Sequence, residues 1–171
     1  MLLYMEGKNR LIFDRVKELF YYNESTGLLH STTKRGKWEK DREIGSINNE
    51  GYLCTWIDGK NYLVHRLCWL YYYQEWPIGQ VDHIDNIRTN NTIINLRDAT
   101  NSENQQNIIK AYKNNISTGL LGVRYCKEYD SFQARVQLNK KRYSFGYFNT
   151  PEEAYNAYII GKRSLHPFCT L

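Results

Sequence analysis

The sequence predicts an α+β chain: a strand-rich N-terminal lead-in, a small strand–strand–helix core, and a three-stranded antiparallel sheet packed on one helix. Three observations carry this expectation. Short strand-like runs broken by Asn, Asp and Gly turns fill residues 28–64. An Asn-rich run, VDHIDNIRTNNTIINLRDATNSENQQN over 81–107, ends in a helix-start signal. Beyond residue 118 the pattern turns to clean apolar/polar alternation and then one amphipathic stretch.

The elements follow in order. Leu11, Val16, Leu19 and Phe20 have helical spacing, which predicts a short helix over 10–22. Glu24-Ser25-Thr26-Gly27 is a turn cluster. Ile44–Ile47, Tyr52–Ile57 and Asn61–Val64 read as strands, and Asp58-Gly59 is a hairpin signal between the last two. Residues 65–75 (HRLCWLYYYQE) are apolar and aromatic, long enough for a buried helix that Trp76-Pro77-Ile78-Gly79 ends. Thr100 with Glu103 three residues later is a capping box, so a helix starts near Asn101 and runs to about Ala111. Residues 112–118 form a polar linker.

In FQARVQL, Phe132, Ala134, Val136 and Leu138 point one way, and Gln133, Arg135 and Gln137 the other. Asn139-Lys140-Lys141 turns the chain. Tyr143, Phe145 and Tyr147 then face inward, with Arg142 and Ser144 outside. Val123 and Tyr125 join the inner face from an earlier strand, leaving Arg124 outside. Thr150-Pro151-Glu152-Glu153 opens a helix, and Ala154, Ala157, Tyr158 and Gly161 give it a small-residue stripe that can lie close on a sheet.

The net charge of +5 is unevenly spread. Residues 1–107 carry 13 Lys/Arg against 14 Asp/Glu, and residues 108–171 carry 10 against 4. All the excess positive charge lies in the last third, which points to a polyanionic partner there. The four cysteines form no CxxC or CxxH pair, which argues against a zinc site or a dense disulfide framework. No segment is apolar enough to span a bilayer, so no membrane partner and a cytoplasmic, reducing setting are expected.

The run 81–107 carries the chemistry. Asp82 supplies a charged oxygen and Asn104 an amide oxygen for a hard cation such as Mg²⁺, with Mn²⁺ able to replace it. His83, beside the carboxylate, can act as a general base. Asn95, in the connecting loop, can bridge backbone groups and fix His83. Arg97 can clamp a phosphate. Asn107 shares a helix face with Asn104, and spacing alone does not separate the two as ligands.

Residues 62–107 resemble the HNH (His-Asn-His) endonucleases with a ββα-metal site. The pattern is HRL, then DHxDxxxxNN, then NL, then a helix carrying xEN. The nearest likeness is to the phage and intron-encoded homing branch, with Asp for the first His and Asn for the last. The resemblance implies Asp82 and Asn104 as metal ligands, His83 as general base and Asn95 as the loop-fixing Asn. It gives His65, in HRL, a structural or DNA-proximal place. The loop departs from the branch's usual pattern at Asn86-Ile87 and Asn90-Asn91-Thr92.

Residues 117–161 resemble the Apetala-two / ethylene-response-factor DNA-binding domain, through STGLLGVRY, FQARV, RYSFGYF and TPEEAYNAY. That likeness implies a sheet lying in the major groove of double-stranded DNA. Its outer positions here are Arg124, Gln133, Arg135, Gln137, Lys140, Lys141, Arg142 and Ser144. Arg and Gln suit base edges; Lys suits phosphate. The basic cluster Lys34, Arg35, Lys37, Lys40 and Arg42 is a flanking candidate, interleaved with Glu39, Asp41 and Glu43.

The expected organisation is thus a lead-in over 1–61, a nuclease core over 62–111, a linker over 112–118 and a DNA-binding domain over 119–171. The expected protein is a Mg²⁺-dependent, homing-type, phage-encoded endonuclease acting on duplex DNA in the infected bacterial cell, as a monomer or weak dimer. The alternative is a sequence-specific DNA-binding regulator with an inactive nuclease site.

Overall fold

A computed structural model of the chain describes residues 13–34, 39–109, 111, 115 and 117–171. The chain forms two compact units, Met1–Asp98 and Ala99–Leu171. The fold is mixed α/β, as the sequence predicts, with four helices and four small sheets among the described residues.

The first unit opens with α1 (Phe13–Leu19). This is shorter than the predicted 10–22 helix, whose first residues, Leu11 included, lie outside the described ones. The helix stops because the aromatic run Phe20-Tyr21-Tyr22 pairs as strand β1 (Phe20–Asn23) with β2 (Leu28–Ser31). Next come β3 (Ser46–Ile47), β4 (Leu53–Ile57) and β5 (Lys60–Leu63), an antiparallel sheet in the order β3-β4-β5. Asp58 and Gly59 both take positive φ between β4 and β5, the turn their sequence signals. Helix α2 (Val64–Tyr73) follows directly and ends at Gln74 with φ 60°. Strand β6 (Gln80–His83) pairs with β7 (Leu96–Ala99). Both oxygens of Asp98 accept the backbone N–H groups of Ile78 and Gly79 at 2.8 Å, fixing the chain where it enters β6.

One core serves the whole unit. Val16, Phe20 and Leu29 pack with Val64, Leu67, Cys68 and Leu70 of α2, and with Val81 and Leu96 of the β6–β7 pair. The backs of the candidate catalytic strands therefore rest on the same apolar cluster as the lead-in.

The second unit holds α3 (Asn101–Gln106), β8 (Val123–Cys126), β9 (Ser131–Leu138), β10 (Lys141–Phe148) and α4 (Pro151–Leu165). The predicted capping box is present at Thr100/Glu103, and the predicted helix start at Thr150 forms a second one with Glu153. Helix α3 ends earlier than the predicted Ala111. The sheet order is β10-β9-β8. Val123, Ala134, Val136, Ala154 and Tyr158 are its buried centre. The predicted alternation needs one correction. A bulge between Ser144 and Gly146 shifts the register. Phe145 and Phe148 therefore face the core, and Tyr147 is turned to the outer face opposite Gln133, 47% exposed. Most of the expected linker (112–114 and 116) lies outside the described residues.

Candidate active site and nucleic-acid interface

The end of β6 carries Asp82 and His83 side by side, both buried. Arg97, on β7, donates from Nε and Nη2 to Oδ2 of Asp82 at 2.8 and 2.7 Å. From sequence alone Arg97 is a candidate phosphate clamp. In the structure this guanidinium closes on the neighbouring carboxylate, because adjacent paired strands bring the two side chains together.

His83 sits in a ring cluster. Its ring meets that of His65 edge-on at 5.0 Å and that of Tyr52 at 5.9 Å, and Tyr52 also lies 5.2 Å from His65. Arg88 stands 4.7 Å over the Tyr52 ring and donates to the Glu50 carbonyl. Burial lowers the His83 pKa below its ordinary 6.5; the bond with Asn91 and the nearby Asp85 and Asp82 oppose this. Burial, then the neighbouring His83 and Arg66, push His65 down to about 3. His65 is thus a packed neutral ring whose Nδ1 has no hydrogen-bond partner among the described residues.

Nε2 of His83 lies 2.9 Å from the side-chain Oδ1 of Asn91, a residue the sequence reading passed over as loop chemistry. The Asn90-Asn91 pair in the motif was the available signal. Asn95 ties the loop together through its side-chain amide. Its Nδ2 donates to Asp85 Oδ1 and to the Asn90 carbonyl, and its Oδ1 accepts from the Asp85 N–H, at 2.8–3.0 Å. Asp85 is the other half of this web. Desolvation would raise its pKa, but bonds from Asn90, the Ile87 N–H and Asn95 outweigh that and hold it low. The loop from residue 84 to 95 is therefore tied across by side-chain amides.

Asn104 and Asn107 belong to the second unit. Asn104 is half-buried on α3. Asn107 is 1% exposed, and its Oδ1 accepts from the Thr170 hydroxyl at 2.7 Å. That bond engages the Asn107 oxygen within its own unit.

The outer face of the β10-β9-β8 sheet gathers Arg124, Gln133, Arg135, Gln137, Arg142 and Ser144, paired across strands as Arg124↔Gln133, Ser144↔Arg135 and Arg142↔Gln137. Gln133 accepts from Arg124 Nε at 2.9 Å and donates to the Ser144 and Tyr147 hydroxyls, which explains its burial on an outward position. Lys140 and Lys141 are exposed at the hairpin end. Burial, then Arg124 and Arg142, depress the Arg135 pKa, so three cations crowd one face. In the lead-in, Lys34 pairs with Glu39 at 2.8 Å, and Arg35 and Lys37 lie outside the described residues.

No helix among the described residues is long and apolar enough to cross a membrane. Residues 62–106 match the family model of the HNH endonucleases. No curated protein and no solved structure matches the chain. The family match supports a nuclease of the HNH type, centred on the segment that holds Asp82, His83 and Asn95.

Proposed function

We propose that this chain is an HNH-type endonuclease that hydrolyses phosphodiester bonds of duplex DNA with a divalent cation, Mg²⁺ or Mn²⁺. The observation that carries the reading is a buried imidazole, His83, beside the carboxylate of Asp82 in a loop tied by Asn95, all within the segment similar to HNH endonucleases.

The donor chemistry fits a hard cation. Asp82 is a carboxylate with two oxygens, and Arg97 engages Oδ2. A ligating carboxylate is commonly held by a hydrogen-bonding neighbour, which is the part we give Arg97. When bound, the cation supplies Lewis-acid stabilisation of charge on the phosphoryl oxygens and on the leaving 3′ oxygen. Asn104 is the second ligand by resemblance. The rest of the work belongs to the protein. His83, kept neutral by burial, accepts the proton of the attacking water as the water oxygen bonds to phosphorus and the P–O3′ bond breaks. Asn95 keeps the loop that carries His83 in one shape. The outer sheet face of the second unit supplies DNA contacts: Arg124, Gln133, Arg135 and Gln137 toward base edges, and Lys140, Lys141 and Arg142 toward phosphate. A homing-type role in a phage-infected cell is the biological setting the sequence resemblance suggests.

The test is plasmid nicking with Mg²⁺, with Mn²⁺ and with EDTA. Cleavage should need the cation, and His83→Ala should remove it, by about 10²–10⁴-fold in rate, while gel-shift affinity stays. Asn104→Ala should raise the cation concentration needed for cleavage without changing DNA binding. The Arg97–Asp82 pair also suits a second reading, a DNA-binding regulator whose site takes no cation. Sequence-specific binding with no cation-dependent nicking would select it.

A further inference from the structure

The geometry points to Asn91 as a positioning residue that sets the tautomer of His83, held in place by Tyr22 and Gly27 of the N-terminal lead-in. This inference rests on the reading of His83 as the general base.

A neutral imidazole carries one N–H, and only its other nitrogen can take a proton. Which nitrogen is which follows from the partner of the protonated one. The side-chain oxygen of Asn91 lies 2.9 Å from Nε2 of His83. An amide oxygen only accepts, so Nε2 carries the hydrogen and Nδ1 is the basic nitrogen. His83 is 4% exposed and Asn91 1%, so solvent does not compete for this bond.

Asn91 is also costly to keep. Its Nδ2 is buried with no hydrogen-bond partner among the described residues. A buried amide N–H left without a partner is destabilising, and an apolar side chain of similar volume would avoid that. The cost is offset only by what the oxygen does, and the oxygen meets His83.

The support behind Asn91 comes from far away in sequence. The Tyr22 hydroxyl, on β1, donates to the Asn91 backbone carbonyl at 2.8 Å. Burial raises the Tyr22 pKa, so it remains a donor through the ordinary pH range. Gly27, in the β1–β2 turn at φ 72°, lies so close that a Cβ would stand 2.4 Å from Thr92 N and 2.6 Å from Asn91 C. No other residue type lets the turn approach that peptide so closely. The lead-in hairpin thus grips residue 91 from both its carbonyl and its peptide plane. Tyr52, with Arg88 over its ring, lies 5.9 Å from the His83 ring. The chain of contacts runs Tyr22, Asn91, His83.

The experiment reads the tautomer directly. The full-length protein, labelled with ¹⁵N histidine, is examined by long-range ¹H–¹⁵N correlation without metal or DNA. His83 is assigned by the signal that disappears in His83→Gln. Wild type should show a protonated Nε2 and a bare Nδ1. Asn91→Leu should lose that fixed tautomer and lower kcat for nicking by about 10–100-fold with KM for DNA unchanged. Asn91→Asp, which keeps an accepting oxygen, should restore both. Tyr22→Phe, a milder change, should broaden or mix the tautomer signal. A wild-type Nδ1–H tautomer, or an unchanged tautomer and kcat in Asn91→Leu, would overturn the assignment. If Asn91→Leu does not fold, Asn91→Asp and Tyr22→Phe decide it on the same spectra. Failure of wild type to nick DNA would sink the nuclease reading alone, because the tautomer is measured without activity.

Discussion

His65 is a histidine that the fold keeps uncharged. Its pKa falls to about 3 in the folded chain, against an ordinary value of 6.5, because burial strips its hydration and His83 and Arg66 lie near. The unfolded chain therefore binds a proton that the folded chain refuses between those two values. Stability contributed by neutral His65 is fully present above about 6.5 and is lost as pH falls toward 3, by up to about 1.4 kcal/mol per pH unit. Urea unfolding across that window should show stability falling steeply, and His65→Phe should flatten the slope; equal slopes would remove His65 as the acid-sensitive group. His83, whose pKa burial also lowers, adds a contribution of the same sign. At this scale residue type and spacing single out Asp82, His83 and Asn95 as candidates, and the structure brings the first two side by side at the end of β6. The sequence did not disclose Asn91, because an amide eight positions from a histidine meets it only when the intervening loop turns back. Nor did it place Arg97 on Asp82, a pairing that arises only when β6 and β7 lie side by side.

Elements were legible where local chemistry sets them and less so where pairing does. The capping box of α3, the helix start of α4 and the Asp58-Gly59 turn were read directly from side-chain type. The end of α1 was not, since β1 forms only because β2 is there to pair with it. The bulge in β10 was hidden too: strict alternation puts Tyr147 inside, and one extra residue sends it out. Helix α4 shows what the small-residue stripe is for. Gly161 faces Phe145, and a Cβ there would lie 2.3 Å from the ring. Alanine in a helix interior gains about 1 kcal/mol over glycine, but overpacking a closed contact costs roughly 1–3 kcal/mol. Gly161→Ala should therefore lower stability rather than raise it; a higher melting temperature would show that the ring yields. The β9–β10 turn makes the opposite prediction. Asn139 and Lys140 hold φ of 49° and 66°, and the second of these is a conformation lysine adopts poorly. Lys140→Gly should stabilise the hairpin by about 0.5–1 kcal/mol, read by thermal unfolding, while removing one cation from the proposed DNA face.

At the scale of the whole chain, charge and chemistry are divided. Residues 1–107 hold the candidate catalytic groups and are nearly neutral, at 13 basic against 14 acidic side chains, while residues 108–171 hold 10 against 4. If the outer sheet face binds DNA through phosphate, affinity should fall linearly on a log–log salt plot, with a slope near −0.9 for each phosphate neutralised. That slope should persist in EDTA, because the cations concerned are side chains and not the bound metal ion. Lys141→Ala, at the exposed end of the hairpin, should make the slope shallower by about one unit and weaken binding about equally across sequences. Arg135→Ala should instead relax preference for a particular base, since that side chain sits mid-sheet among Gln133 and Gln137. Lys34→Ala serves as the control: Lys34 is paired with Glu39 and lies in the neutral part of the chain, so its loss should leave the slope unchanged. A slope that responds to Lys34 and not to Lys141 would move the DNA contact to the lead-in. It would also separate where the chain is charged from where it binds.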